Sequence, residues 1–208
     1  NYNNLLWALR CLRSPLGVGL GARHVTVSTS GLVPQMLKLS TEGPKVNLAV
    51  SLHAADDETR KKIMPKAAQW PIKDVLKAAW VYQKQQGSVR VTFEYVLLKG
   101  VNDSLRAAQR LSNLLREKKA WVNLIVYNPV PGLDYERPPE EAVKRFADVL
   151  TERGIFARVR RPLGRDIAAG CGEFHTRGNT GDFAAEAGNG VAQSGVATDH
   201  DGLRTEVN

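Results

Sequence analysis

Five runs of β-branched and apolar residues recur along the chain, each bounded by stretches in which apolar residues return at helical spacing. The runs are HVTV (24–27), NLAV (47–50), VTFEYVL (91–97), NLIV (123–126) and the short FARV (156–159). A helix is predicted before the first run, over Tyr2–Arg13, where Leu5, Leu6, Leu9 and Leu12 share a face. Further helices are predicted at PQMLKLS (34–40), in the stretch opened by the acids of DDETRKK (56–62), and at PIKDVLKAAWVYQKQQ (71–86) with Gly87 beyond its end. Two more follow the cap residues Asn102–Ser104 and the prolines of PPEEAVKRF (138–146). Strands that alternate with helices pair in parallel through right-handed crossovers, so the chain is α/β. A (β/α) barrel and an open doubly wound sheet share this periodicity, and the periodicity leaves both open.

The 208 residues, 43% of them hydrophobic and 24% charged, suffice for one domain with its own core. Cys11 and Cys171 are too few for a disulfide framework, and no Cys or His pair has metal-ligand spacing, so no metal ligands are expected in this chain. A reducing, cytoplasmic setting fits that usage. No stretch reaches the roughly 20 apolar residues of a membrane span, and the amino end is amphipathic, unlike a signal peptide. The net charge of +8 favours phosphate-bearing partners, nucleic acid first, although a solvated basic surface accounts for the same excess. Beyond about Phe174 the composition turns to Gly, Ala, Thr and Asp, and residues 173–208 are expected to form a disordered tail behind a folded part of residues 1–172.

Polar residues gather where three strands end. HVTV runs into Ser28-Thr29-Ser30, NLAV into Ser51-Leu52-His53, and NLIV into Tyr127-Asn128-Pro129. In parallel α/β folds the carboxyl ends of the strands form the ligand-binding face, so these groups are expected to converge, although each alone serves equally to cap a turn. They include no pair of carboxylates and no nucleophile with its base, which weakens the case for an ordinary metabolic (β/α) enzyme. His53 lacks a carboxylate at a helpful spacing and is assigned to binding. Glu94 falls mid-strand among large residues and is expected to be paired, with an arginine or lysine across the sheet. Cys171, in DIAAGCGEF (166–174), has glycine on both sides and Arg160, Arg161 and Arg165 upstream, a context for a reactive thiol, while a buried cysteine in a turn fits equally. The same arginines are candidates for phosphate contacts, and Cys11 is assigned to packing.

Placed in order, the segments from NYNNLLWALRCLRS, through STSG (28–31), LAVSLHAADDETRKKIMP (48–65), VTFEYVLLKGVNDS (91–104) and VNLIVYNPVPG (122–132), to GRDIAAGCGEF (164–174) resemble the carboxyl-terminal half of the RlmN family. These are radical S-adenosylmethionine methyltransferases that methylate carbon 2 of adenosine in 23S rRNA and in certain tRNAs. The resemblance runs from Asn1 to about Phe174 and implies the carboxyl-terminal portion of a partial (β/α)6-type radical SAM barrel. Ser28, Ser51, Leu52, His53 and Asn128 stand at positions that it implies contact S-adenosylmethionine. Cys171 stands at the cysteine that takes a methyl group and carries it as S-methylcysteine.

The resemblance also implies a reduced 4Fe-4S cluster that cleaves a second S-adenosylmethionine to a radical, an electron donor for the cluster, 23S rRNA and tRNA as substrates, and a monomeric, cytoplasmic enzyme. The family's cysteine cluster motif and its resolving cysteine fall upstream of Asn1, so the chain is expected to be a fragment, inactive alone. The sequence departs from the family at Gly170, Glu173, Phe174 and RPLGRD (161–166). Two rival expectations are a carbon-8 rRNA methyltransferase like the related Cfr, and an inactive RNA-binding remnant.

Overall fold

In this computed structural model, residues 1–160 are described except Ser88, Glu117, Lys119, Val130 and Pro131. Cys171, Arg161, Arg165 and the expected tail of residues 173–208, with the boundary at 172, lie outside the described residues.

All five apolar runs are strands: β1 (Thr26–Thr29), β2 (Asn47–Ser51), β3 (Val91–Leu97), β4 (Trp121–Val126) and β5 (Phe156–Arg160). They form one sheet in the order β1-β2-β3-β4-β5, every pair parallel. A helix α1 (Tyr2–Arg13) and one 3-10 turn (Ala22–His24) precede β1. The crossovers carry α2 (Val33–Glu42), then α3 (Asp57–Ile63) with α4 (Ile72–Gln86), then α5 (Leu105–Leu115) and α6 (Glu140–Glu152). A doubly wound sheet reverses its strand order part-way, whereas here each strand lies beside its predecessor. Crossovers of one hand then place every helix on the same face, the arrangement of a (β/α) barrel segment.

Strand register carries this asymmetry into the side chains. Across the sheet, Val50 aligns with Phe93 and Val122, and Tyr95 with Leu124 and Val159. These residues, with Val159 only partly buried at the edge, join Met36 and Leu39 of α2, Val75 and Tyr82 of α4, Leu111 of α5 and Phe146 of α6 in one core. Tyr95 meets the ring of Phe146 at 5.2 Å, and the Tyr82 hydroxyl donates to the Val46 carbonyl at 2.9 Å. The opposite face reads Ser28, Ala49, Thr92, Trp121, Phe156 in one row and Ser51, Glu94, Asn123, Arg158 in the next. Parallel sheets normally bury both faces under apolar residues. This one presents mostly small and polar groups on its helix-free side, with Trp121 and Phe156 as the large apolar exceptions in these two rows.

Local chemistry sets the helix starts. Asp56 caps α3 by accepting from the Thr59 N–H at 2.8 Å, and Ser104 caps α5 by accepting from the Ala107 N–H at 3.1 Å. Asp57 reaches forward to accept from the Ile72 N–H at 2.7 Å, tying α3 to the start of α4. Of the predicted caps Asn102–Ser104, only Ser104 caps α5; Asn102 is buried and serves elsewhere.

Arg60, on α3, is fully buried, with no carboxylate within ion-pair reach among the described residues. Its guanidinium donates to the carbonyls of Ser30 at 2.8 Å and of Ala67 and Trp70 at 3.3 Å. The turn after β1, the α3–α4 loop and α3 itself are thus held by one side chain. Replacing Arg60 with Met removes all three donors and should cost on the order of 3 kcal/mol. Urea unfolding checks this as a lowered midpoint at unchanged slope; a midpoint equal to that of the parent chain would show that these bonds carry no net stability.

Candidate functional site

The turn after β1 is built by STSG (28–31). Ser28 belongs to the helix-free face, beside the small Ala49, and is exposed. The Thr29 hydroxyl turns back to accept from the N–H groups of Gly31 at 3.2 Å and Leu32 at 3.4 Å, closing the turn. Gly31 has φ +94°, and a Cβ there would stand 2.9 Å from the Arg60 guanidinium. Glycine is therefore required by backbone conformation and by close approach.

After β2 the chain turns at Ser51-Leu52-His53. Ser51 aligns with Glu94 on the helix-free face. The N–H groups of Leu52 and His53 both donate to the Glu94 carbonyl, at 3.0 and 3.1 Å. The Leu52 side chain is fully buried in the core, so only its backbone borders the open face. His53 has φ +56°, the one non-glycine residue with positive φ among those described. That turn brings its imidazole across the end of the ladder, where Nδ1 accepts from the Val96 N–H at 3.0 Å.

Burial, and behind it the positive charge of Arg60, pushes the His53 pKa from 6.5 down to about 4. The ring is neutral near pH 7, and an Nδ1 that accepts leaves the proton on Nε2. His53 thus offers a single N–H donor and has no free basic nitrogen, which suits binding and not proton transfer.

Glu94 is paired, as its mid-strand position requires. Its Oε1 accepts from the Asn123 amide at 2.8 Å, and its Oε2 stands 3.9 Å from the Arg160 guanidinium. Arg160 is thereby partly committed to the sheet face. The rings of Trp121 and Phe156 meet at 3.9 Å with their planes tilted by 49°, and the Arg90 guanidinium lies 4.2 Å from the indole centre, one row nearer the amino ends of the strands. Asn128, half-buried, follows β4 by two residues, beyond the buried Tyr127.

Ser28, Ser51, His53 and Asn128 therefore lie at the carboxyl ends of β1, β2 and β4 in one parallel sheet, the edge at which (β/α) folds bind ligands. They supply hydroxyls, an N–H and an amide, a hydrogen-bonding set suited to a polar ligand such as S-adenosylmethionine. Among the described residues no three His, Cys, Asp or Glu side chains are grouped to hold a metal ion, and Cys11 is free and half-buried on α1. The described residues accordingly do not fit a 4Fe-4S cluster. Two residues that hold the site from behind, Arg60 and Asn102, carry no local signal in the sequence beyond Asn102 being a second cap-type residue where one cap suffices.

No family model matches the chain. It is 46% identical over 178 residues to a probable dual-specificity RNA methyltransferase RlmN of Symbiobacterium thermophilum, covering 85% of this chain and 48% of that protein. A dual-specificity RNA methyltransferase RlmN of Anaeromyxobacter dehalogenans is 48% identical over 182 residues, covering 88% of this chain and 48% of the relative. The chain belongs to the RlmN family. It spans about half the length of these relatives.

Among solved structures, a radical SAM methyltransferase from Sphaerobacter thermophilus superposes with a TM-score of 0.77 at 45% identity, over 83% of this chain and 50% of that one. A domain of a pyruvate-formate lyase-activating enzyme from Bacteroides vulgatus matches at 17% identity with a TM-score of 0.52 and shares the fold alone. The architecture is thus a portion of a radical SAM barrel, as the resemblance implied. Among the described residues no helix is long and apolar enough to cross a membrane.

The low pKa of His53 makes a signed prediction. Its folded value, about 4, lies below the unfolded value, 6.5, so between them the unfolded chain binds more protons and stability falls as pH drops. The gap in stability between the parent chain and His53→Gln should narrow by up to about 2 kcal/mol from about pH 7 to about pH 5. Urea midpoints at the two pH values read it, and a constant gap would place the imidazole in an ordinary solvated setting.

Proposed function

We propose that the chain forms the S-adenosylmethionine-binding and methyl-carrying portion of an RNA methyltransferase that modifies carbon 2 of adenosine in 23S rRNA and tRNA. The observation that carries this reading is the set of Ser28, Ser51, neutral His53 and Asn128 at one edge of a parallel sheet. The names of the relatives supply the class of substrate, and the net charge of +8 suits an RNA partner.

S-adenosylmethionine, when bound, supplies the methyl group. In this reading the hydroxyls of Ser28 and Ser51, the Nε2–H of His53, the Leu52 backbone and the Asn128 amide orient the cofactor. A neutral His53 avoids setting a second positive charge beside the sulfonium. With the cofactor held there, the Cys171 thiolate would be the group to take its methyl, becoming S-methylcysteine as S-adenosylhomocysteine leaves. In the sequence, glycine stands on both sides of Cys171. The family's 4Fe-4S cluster and its electron donor belong to the same reading, with the cluster's ligands outside the described residues. A cytoplasmic, monomeric enzyme is the setting we assign to it.

Mass spectrometry of nuclease-digested RNA tests the reading, after incubation with anaerobically purified enzyme containing this chain, S-adenosylmethionine and a reductant. The expected product is 2-methyladenosine, abolished by Cys171→Ala and lowered at least about tenfold by Asn128→Ala, a loss of roughly 1.4 kcal/mol in transition-state binding. Methyl on carbon 8 would place the enzyme with Cfr. Salt-sensitive RNA binding without methylation would leave only the RNA-binding remnant.

A further inference from the structure

Asn102 stands on the loop between β3 and α5, and its side chain and backbone are 1% exposed. Its amide donates to the His53 carbonyl at 2.8 Å and to the Val96 carbonyl at 2.6 Å, while its Oδ1 accepts from the Leu98 N–H at 2.7 Å. The Tyr95 hydroxyl donates to the Asn102 carbonyl at 2.9 Å. Burial, with the charges of Asp56 and Asp103 behind it, pushes the Tyr95 phenol above its ordinary value, so the phenol remains a donor. Both amide donors are spent, one on the loop after β2 and one on strand β3, and this is far more than the cap of one helix requires.

The two bonds of the amide bracket the contact that orients the imidazole. Asn102 holds the carbonyl of His53 and the carbonyl of Val96, and the Val96 N–H is the group that bonds His53 Nδ1. His53 sits in the left-handed region, which costs a non-glycine residue about 1 kcal/mol or more and persists only where surrounding bonds enforce it. Without those bonds the residue relaxes toward negative φ, the ring leaves the Val96 N–H, and nothing selects the Nε2–H tautomer.

We propose that Asn102 is the positioning residue of the site: it touches no ligand, but by clamping the loop after β2 to the loop after β3 it enforces the backbone turn of His53 and the direction of its Nε2–H. The role of that N–H in holding cofactor rests on the function proposed above; the clamp itself does not.

Long-range proton–nitrogen correlation spectra of the nitrogen-15-labelled full chain read the imidazole state directly, with His53→Gln assigning the signal among the four histidines. In the parent chain His53 is expected as one tautomer, Nε2–H, and in Asn102→Ala as an exchanging mixture of both. Asn102→Asp keeps an oxygen for the Leu98 N–H but loses the two amide donors, and is expected to release the ring in the same way. Either variant folded with His53 still wholly Nε2–H would overturn the proposal, because a residue that only stabilised the loop would leave the ring in place.

A measurement on the unaltered chain guards against variants that do not fold. The Asn102 side-chain amide protons should exchange with solvent at least about 100-fold more slowly than those of exposed asparagines, and equal rates would overturn the clamp. S-adenosylmethionine affinity of the same variants, measured by calorimetry, separates the two claims. Affinity lost together with the tautomer supports both, and affinity retained while the tautomer is lost upholds the clamp and removes His53 from the cofactor site.

Discussion

Every feature of the site depends on one constraint: five parallel strands laid side by side in chain order. A parallel connection must cross over, each crossover here carries at least one helix, and crossovers of one hand stack those helices on a single face. One face of the sheet is thereby committed to packing. Period-two alternation then sorts each strand, so that Val91, Phe93, Tyr95 and Leu97 enter the core while Thr92 and Glu94 turn to the other side. Register extends the sorting sideways and aligns Ser51, Glu94, Asn123 and Arg158 in one row, although up to 107 positions separate them in the chain.

The loops that cross the carboxyl edge are held from behind by buried polar side chains. Arg60 spends its guanidinium on three carbonyls, one of them in the turn after β1, and Asn102, on the loop after β3, spends its amide on the loop after β2 and on β3 itself. Loops are ordinarily the least ordered part of an α/β fold, and a ligand that must be held at a fixed orientation needs them fixed beforehand. A buried polar group stays in place because every alternative leaves it unpaired in a medium of low polarity. That is why a buried arginine bonded to carbonyls and a fully satisfied asparagine can hold in place a serine turn and a histidine in a conformation that histidine rarely adopts.

The neutrality of His53 follows from the same arrangement. Its Nδ1 serves as the acceptor that a strand carbonyl would supply, and burial first, with the charge of Arg60 behind it, discourages a second proton. In a site proposed to receive a sulfonium cofactor, a ring that donates one hydrogen bond and carries no charge is better matched than an imidazolium.

Much of this was legible in the sequence, for identifiable reasons. Strand and helix boundaries follow from local periodicity and from caps such as Ser104, and the gathering of Ser28, Ser51, His53 and Asn128 at strand ends follows from the rule that parallel strands present ligands at their carboxyl ends. The pairing of Glu94 followed from the cost of burying a lone carboxylate, and Arg160 and Asn123 supply it. What tertiary structure alone decided were the matters that depend on neighbours distant in the chain. Strand order chose a barrel segment over a doubly wound sheet, because both have the same local pattern. Asn102 reads locally as a helix cap and acts as a clamp, because its partner carbonyl on His53 lies 49 positions away. Leu52 stands between two polar residues in the sequence, yet strand alternation sends its side chain into the core. The sequence by itself determined which elements form and which residues reach the edge of the sheet; burial and long-range hydrogen bonding, which exist only once the chain has folded, decided how those residues are held.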